Sequence, residues 1–153
     1  RRMSELCELY QQVILDHNRN PRNFGPLEGA NRHQDGHNPL CGDSLTVYLL
    51  VDDHGLIEDI HFEGAGCAIS KASASLMTSL VKGKTTAQAE RIFADFHELV
   101  TSSVDSPVDD AKVGKLAVFA GVREFPMRVK CATLAWHTMR SALHNDDAPV
   151  TTE

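Results

Sequence analysis

Cysteine is scarce in this chain, and its few cysteines are far apart. The 153 residues include four, at positions 7, 41, 67 and 131, and no two of them form a Cys-x-x-Cys pair. The sequence therefore lacks zinc-finger and thioredoxin-like motifs. A chain of this length, well supplied with Leu, Val and Ile, does not need disulfides to hold a core. Metal binding or thiol chemistry is the better interpretation of the cysteines.

Excess positive charge and long apolar runs are also absent. The formal net charge of −6 argues against a nucleic-acid partner and against an anionic membrane surface, because both bind basic surfaces. No apolar run approaches the roughly 18 residues of a membrane-spanning helix, and Glu5, Glu8 and Gln11 interrupt any signal-peptide pattern. We expect a cytoplasmic protein that binds another protein or a small ligand; a trimmed organellar precursor is the alternative.

Hydrophobic periodicity predicts an α+β fold in a single domain, residues 1–153. The pattern predicts a three-stranded antiparallel sheet and about five helices. The predicted strands cover residues 31–37, 44–51 and 56–63, and the predicted helices cover 4–18, 68–81, about 86–100, 111–120 and 126–144. A capping-box pattern at Thr85 and Gln88 marks the start of the third helix. Residues 1–3 and 145–153 are expected to be disordered.

The most informative stretch is Asn38-Pro39-Leu40-Cys41-Gly42-Asp43, directly before the second predicted strand. It places a thiol and a carboxylate two residues apart in a turn that Pro39 and Gly42 bend. Asp43 alone would be an ordinary turn or strand-cap residue. Beside Cys41, a metal-ligand or acid–base role for Asp43 gains weight.

Two further cysteines lie at the starts of predicted helices. Cys67 follows Gly64-Ala65-Gly66, and a helix N-terminus there favours a thiolate; a small buried side chain at a tight joint explains the same residues equally well. Cys131 lies in the early turns of the last predicted helix, three residues after Arg128 on the same face. Arg128 either favours a thiolate or an anionic partner, or is an ordinary solvated charge.

Together, these four residues have the composition of a tetrahedral zinc site with three thiolates and one carboxylate. Three cysteines with an open position would also hold an iron–sulfur cluster, and spacing alone does not choose between the two. His137 lies six residues after Cys131 and is therefore off its helix face, so we do not count it as a ligand. No histidine is placed by sequence to activate a thiol, which makes a cysteine hydrolase the weakest hypothesis.

Three motifs occur in order along the chain: the Asn38–Asp43 turn, Gly64-Ala65-Gly66-Cys67-Ala68-Ile69-Ser70, and Val129-Lys130-Cys131-Ala132-Thr133-Leu134-Ala135-Trp136. With them the chain closely resembles the U-type iron–sulfur assembly proteins, the family of NifU N-terminal domains, IscU and SufU. The resemblance covers about residues 4–144, and three motifs at compatible spacing make it highly specific.

Within that family the chain is more similar to the SUF branch than to the ISC branch. The ISC pattern has a His immediately before the third Cys, where this chain has Lys130. It also has a Leu-Pro-Pro-Val-Lys stretch, where this chain has Phe125-Pro126-Met127-Arg128-Val129-Lys130. The segment over about residues 100–122 is longer than in ISC-type proteins.

The resemblance implies helices packed largely on one face of the three-stranded sheet, as in SufE-like and NifU-like folds. It implies a SufS-like cysteine desulfurase as a partner that delivers persulfide sulfur, with Cys41 as the sulfur acceptor. Arg128 and Lys130 are then candidates for partner docking or for supporting the site. The Zn²⁺ ligands that it implies are Cys41, Asp43, Cys67 and Cys131.

The leading hypothesis is a zinc-dependent, sulfurtransferase-type accessory protein that activates a cysteine desulfurase and supplies a downstream cluster scaffold or apo-protein acceptor. The alternative is a scaffold that holds a nascent [2Fe–2S] cluster, or Fe²⁺, and passes it on; Lys130 in place of His counts modestly against it. A third hypothesis is a purely structural zinc domain. An acid ligand and a cysteine in a mobile turn suit ligand exchange better.

Overall fold

The structure is a computed structural model that describes residues 2–146 and 148–152, and for residues 2–7 the backbone alone. In chain order its elements are α1 (Arg2–Arg19), β1 (Arg32–Asn38), β2 (Asp43–Val51), β3 (Ile57–Ala65), α2 (Ala68–Val81), α3 (Thr86–Thr101), α4 (Asp110–Val113), a 3-10 helix (Gly114–Glu124), α5 (Pro126–Leu143) and β4 (Val150–Thr151). No helix among the described residues is both long enough and apolar enough to cross a membrane.

The sheet has the strand order β3-β2-β1-β4. The first three strands are antiparallel, as predicted, and β4 pairs in parallel with β1 through Gly36–Val150 and His37–Thr151. The α+β class is confirmed, whereas the predicted three-stranded sheet has one strand too few. A strand of two residues carries no alternation that a sequence pattern could detect.

β4 lies within residues 145–153, the tail for which we expected disorder. Asp147 and Glu153 of that tail, and Arg1 of residues 1–3, lie outside the described residues. The assignment of residues 1–153 to a single domain stays a prediction.

The core lies between one face of the sheet and the helices. On β2 the inward residues are buried and the alternate ones are half-buried or exposed, as the predicted alternation requires. The buried ones are Leu45, Val47, Leu49 and Val51. α5 packs against β1 and β2, and α2 packs against β3, while α1 covers α2 and α3 packs on α5 and the 3-10 helix.

A buried polar contact joins α2 to α5. The Ser73 hydroxyl donates to the Ala132 carbonyl at 2.6 Å and accepts the Trp136 indole N–H at 3.0 Å. The Trp136 ring is fully buried and stacks on Phe96 with ring centroids 4.9 Å apart. These contacts fix the two helices relative to each other, and the starts of both helices carry candidate site residues.

The helix bounds follow the sequence closely, except in one segment. α2 has its predicted bounds, and α3 begins with the predicted capping box, in which Thr85 and Gln88 exchange hydrogen bonds of 2.9 and 3.1 Å. The helix predicted at residues 111–120 is instead the short α4 followed by the 3-10 helix. The two helices are separated at Gly114, the first residue of the 3-10 helix. Its positive φ of +56° interrupts α-helical hydrogen bonding.

The close approach of α5 to β1 predicts a strong effect of a single methyl group at Gly36. A Cβ there would lie 2.0 Å from Thr138 Oγ1 and 3.2 Å from Leu134 Cδ1. We expect Gly36→Ala to lower the free energy of unfolding by about 1–3 kcal/mol, the usual cost of overpacking. Urea unfolding followed by circular dichroism measures this change.

Gly121→Ala is the matched control, because a Cβ at Gly121 meets no heavy atom within 4 Å in the described part of the chain. Adding Thr138→Ala to Gly36→Ala removes the nearest clash and should recover part of the lost stability. A Gly36→Ala protein as stable as the parent would contradict the close packing of α5 on β1.

Candidate metal centre

The four candidate ligands come from three parts of the fold that meet at one end of the sheet. Cys41 lies in the turn between β1 and β2, and Asp43 is the first residue of β2. The start of β2 pairs with the end of β3, which brings it beside Cys67, the residue before α2. Cys131 lies in the second turn of α5, the helix that packs on β1 and β2.

The ligand atoms of these residues are close together. One ligand atom from each of Cys41, Asp43 and Cys131 lies within 4.8 Å of the other two. Cys67 adjoins this group, because its Sγ lies 3.9 Å from Asp43 Oδ2. The structure thus brings together the four residues selected from the sequence. In the part of the chain that the structure describes, this is the only compact group of three or more such side chains, and it contains no histidine.

Asp43 links β2 to the start of α2. Its side chain is fully buried, and its Oδ1 accepts the backbone N–H of Cys67 at 2.8 Å. Gly66 permits this approach, because a Cβ at that position would lie 2.6 Å from the same oxygen. The second carboxylate oxygen, Oδ2, faces the sulfur of Cys67.

Cys67 is the N-cap of α2, in agreement with its predicted place at a helix start. Its backbone is extended, with φ −70° and ψ 166°, and its Sγ accepts the N–H of Ser70 at 3.4 Å. The free N–H groups of the first helical turn and the helix dipole stabilise negative charge at this position. The Cys67 sulfur therefore lies at the positive end of the α2 dipole.

The three sulfurs differ in burial. Cys41 is exposed, Cys67 is half-buried, and Cys131 is buried with an exposed fraction of 2%. Burial raises the pKa of the Cys131 thiol, and hydrogen bonds with Cys41 and Asp43 and the nearby charge of Cys67 raise it further. Groups that become anions are crowded together here, so a cation would relieve their repulsion.

Asn38 contacts the candidate site, and the sequence analysis did not predict this contact. Its buried side chain donates from Nδ2 to Cys131 Sγ at 3.6 Å and accepts the Leu40 N–H at 3.2 Å. The one feature of the sequence that pointed to Asn38 is its position at the start of the Asn38–Asp43 motif. An Asn in a turn usually bonds its own backbone, however, and the contact with a sulfur 93 positions away depends on tertiary packing.

The two candidate docking residues lie at the start of α5. Arg128 is exposed, and its guanidinium lies over the Phe125 ring at 4.6 Å from the centroid. Lys130 is half-buried beside Cys131, and its backbone carbonyl accepts the Thr152 hydroxyl at 3.4 Å. Neither residue belongs to the compact ligand group.

His137 lies on the side of α5 that faces α3. Its ring meets the Phe93 ring edge-on at 5.0 Å and lies 5.8 Å from the His97 ring, centroid to centroid. Its position is consistent with leaving it out of the ligand set. A histidine-activated cysteine hydrolase gains no support from the described residues, because the ligand group contains no histidine.

Comparison with known proteins assigns the chain to a family. Residues 9–145 match the model of the NifU-like N-terminal domain, and the chain belongs to that family. Zinc-dependent sulfurtransferase SufU of Bacillus subtilis is 39% identical over 94% of this chain and 95% of its own. The iron–sulfur cluster assembly scaffold protein IscU of Streptococcus pyogenes is also 39% identical, over 92% of this chain and 86% of its own.

Solved structures agree with the fold. FiSufU of Fervidobacterium islandicum AW-1 has a TM-score of 0.78 at 35% identity, over 86% of this chain and 94% of that chain. The N-terminal NifU-like protein of Brucella abortus has a TM-score of 0.77 over 90% and 96%, and at 23% identity it supports the fold alone. The family of the chain is therefore shown. The names of its relatives describe two different roles, a sulfurtransferase and a scaffold.

Burial predicts the order in which thiols of the metal-free protein react with an aqueous reagent. We expect Cys41 to react first and Cys131 last, because Cys41 is exposed, whereas Cys131 is buried and burial raises the pKa of its thiol. Labelling at Cys41 should exceed labelling at Cys131 by roughly tenfold or more. Limiting iodoacetamide, digestion and mass spectrometry assign the label to each cysteine.

The same protein unfolded in urea is the control, and there the two cysteines should react at similar rates. Equal labelling of Cys41 and Cys131 in the folded protein would contradict the difference in burial.

Proposed function

We propose that the chain is a zinc-dependent sulfur acceptor that takes persulfide sulfur from a cysteine desulfurase and supplies it for iron–sulfur cluster assembly. The observation that carries this proposal is the convergence of three thiols and a buried carboxylate, with one thiol, Cys41, exposed. The name of the similar Bacillus subtilis protein, a zinc-dependent sulfurtransferase, agrees with it.

The donor set fits Zn²⁺. Zinc takes four thiolate, imidazole or carboxylate ligands in a tetrahedron, and Zn–S bonds of about 2.3 Å put neighbouring ligand atoms about 3.8 Å apart. The atoms of Cys41, Asp43 and Cys131 lie within 4.8 Å of one another, and Cys67 Sγ lies 3.9 Å from Asp43. Cys41, Asp43 and Cys131 therefore already lie near the spacing of a tetrahedral site, and Cys67 lies next to Asp43. A bound zinc would supply the positive charge that keeps these thiols deprotonated at neutral pH.

Cys41 is the proposed sulfur acceptor. Its thiolate attacks the outer sulfur of the desulfurase persulfide, as in thiol–disulfide exchange. A new S–S bond forms on Cys41, the old S–S bond breaks, and its electron pair leaves with the desulfurase cysteine thiolate. No external oxidant or reductant is consumed. The exposed position of Cys41 in the turn after β1 makes it accessible to a partner's cysteine.

Asp43, Cys67 and Cys131 are the proposed retained ligands. Asp43 is fully buried and is hydrogen-bonded to the backbone of Cys67. Cys67 and Cys131 lie at the starts of α2 and α5, which the Ser73–Trp136 contact joins. These residues keep their positions while Cys41 is engaged elsewhere, because Asp43 and Cys131 are buried and Cys67 caps α2.

Arg128 and Lys130 are proposed to help dock the desulfurase. Arg128 is exposed three residues before Cys131, and the neighbouring Phe125 and Met127 are also exposed, at 47% and 51%. A cation among exposed apolar side chains fits a protein surface that carries an acidic group. We further propose the cytoplasm as the compartment, because free thiols need reducing surroundings, and a cluster scaffold or apo-protein as the downstream acceptor.

The second candidate function is a scaffold on which a nascent [2Fe–2S] cluster, or Fe²⁺, is held and passed on. The three converging cysteines favour it, because thiolates are the usual ligands of such clusters. The similar Streptococcus pyogenes protein is named as a scaffold. We rank this function second, because Lys130 stands where the ISC pattern has a histidine.

Metal analysis and a desulfurase assay separate the two functions. We expect protein purified aerobically or anaerobically to contain one zinc per chain and to stimulate cysteine turnover by a SufS-type desulfurase. Cys41→Ala should reduce that stimulation by at least about tenfold, because the attacking thiolate is lost. Zinc and iron are quantified by elemental analysis, and turnover is followed through the alanine produced.

Cys7→Ala is the matched control, because Cys7 belongs to α1 and to none of the three motifs. A coloured iron–sulfur protein without stimulation would favour the scaffold function. Full stimulation and full zinc content in Cys41→Ala would exclude Cys41 as the acceptor.

Gly66→Ala tests the position of the carboxylate. Because the added Cβ would lie 2.6 Å from Asp43 Oδ1, it should push the carboxylate out of the ligand group. We expect zinc affinity to fall by roughly 10–100-fold, the range typical of disturbed support for metal ligands. Competition with a chromophoric chelator measures the affinity. Gly121→Ala should leave it unchanged, and an unchanged affinity in Gly66→Ala would contradict a ligand role for Asp43.

A further inference from the structure

A single buried amide contacts two of the three sulfur-bearing segments. Asn38 is the last residue of β1, and its side chain has no solvent exposure. Its Nδ2 donates to Cys131 Sγ at 3.6 Å, and its Oδ1 accepts the Leu40 N–H at 3.2 Å. Its backbone carbonyl accepts the N–H of Cys41 at 3.3 Å. Asn38 therefore contacts the fixed sulfur on α5 and the turn that carries Cys41.

Hydrogen bonding distinguishes the three sulfurs. Cys131 accepts the Asn38 amide N–H, and Cys67 accepts the backbone N–H of Ser70 at 3.4 Å. No N–H group in the described part of the chain donates to Cys41 Sγ. An N–H···S bond withdraws negative charge from a thiolate, which makes the sulfur a weaker nucleophile and fixes its orientation. Cys41 is the sulfur that this effect leaves unchanged.

Because Asn38 is buried, breaking its hydrogen bond to Cys131 would be unfavourable. If Cys131 moved out of the ligand group, the Asn38 N–H would remain fully buried next to an emptied position. Leaving a buried donor without a partner costs free energy. Cys41, which is exposed, moves without leaving that donor unpaired.

We propose that Asn38 is a positioning residue that retains Cys131 in the ligand group and thereby directs sulfur acceptance to Cys41. This inference rests on the proposed function, because it concerns which thiolate stays and which one reacts. The amide acts through the sulfur of Cys131 and through the turn, and it takes no part in the transfer itself.

Cobalt(II) binding tests the contact with sulfur. Cobalt(II) occupies zinc sites of this ligand type, and its sulfur-to-metal charge-transfer absorption depends on the electron density at the sulfurs. We expect Asn38→Ala to shift this absorption to lower energy, because Cys131 loses a hydrogen-bond donor. The affinity for cobalt(II) should fall by about tenfold.

Asn38→Asp separates the effect on sulfur from the effect on the turn. The aspartate keeps an oxygen for the Leu40 N–H but has no N–H for Cys131, so the same shift is expected. If this variant kept the parent spectrum and affinity, Asn38 would serve only to shape the turn and the proposal would fail. Gln34→Ala is the matched control, because Gln34 is a buried amide of β1 that bonds Ser141 and Asp146 instead of a sulfur.

Measurements on the unsubstituted protein keep the test decisive if a variant does not fold. In the ¹¹³Cd-loaded protein, NMR should show scalar coupling between the metal and the Asn38 side-chain amide protons through the hydrogen bond. Coupling to Ser70 N–H without coupling to Asn38 would overturn the inference alone. An unsubstituted protein whose cobalt(II) complex lacks thiolate charge transfer would overturn the proposed function as well.

The distribution of transferred sulfur tests the consequence for function. After incubation with desulfurase and cysteine, mass spectrometry locates the persulfide within the chain. We expect it on Cys41 in the unsubstituted protein, and we expect a several-fold larger share on Cys131 in Asn38→Ala. An unchanged share in a folded, metal-loaded variant would contradict a directing role for Asn38.

Discussion

The buried carboxylate of Asp43 is the constraint on which the site depends. A fully buried carboxylate is unfavourable unless donors or cations compensate its charge. One oxygen is satisfied by the Cys67 N–H, and Gly66 is the residue that lets the two segments approach that closely. The other oxygen accepts a hydrogen bond from the Cys67 thiol, a weak donor, at 3.9 Å. A bound cation would compensate the carboxylate more strongly than a thiol does, and the three cysteines lie beside this carboxylate.

The surrounding fold holds two of the cysteines in place and leaves the third accessible to solvent. Ser73 and Trp136 hold α2 against α5, so the helix starts that carry Cys67 and Cys131 cannot separate without disrupting the core. Cys41 instead lies in the turn that connects β1 and β2, and it is exposed. A fold in which one thiol is accessible and two are fixed suits a thiolate that reacts and then returns to its place.

The sequence was most informative where local chemistry determines structure. The bounds of α2 were predictable because Gly66 and Cys67 open it and Lys82-Gly83 closes it, and the capping box of α3 is likewise local. The four candidate ligands could be chosen because each lies at the end of a predicted element. β4 and the bond from Asn38 to Cys131 were not predictable, because both arise from chain segments that only tertiary packing brings together.

The two candidate functions make different demands on the same group of side chains. A scaffold needs several thiolates that bind one growing cluster together, whereas an acceptor needs one thiolate that a partner's cysteine can reach. In this chain the sulfurs are unequal in burial and in hydrogen bonding, since Cys131 and Cys67 each accept an N–H and Cys41 is the exposed sulfur. One exposed sulfur beside two sulfurs that accept N–H groups meets the requirement of an acceptor. The unequal burial and hydrogen bonding of the sulfurs are therefore what supports our proposal that Cys41 is the sulfur acceptor.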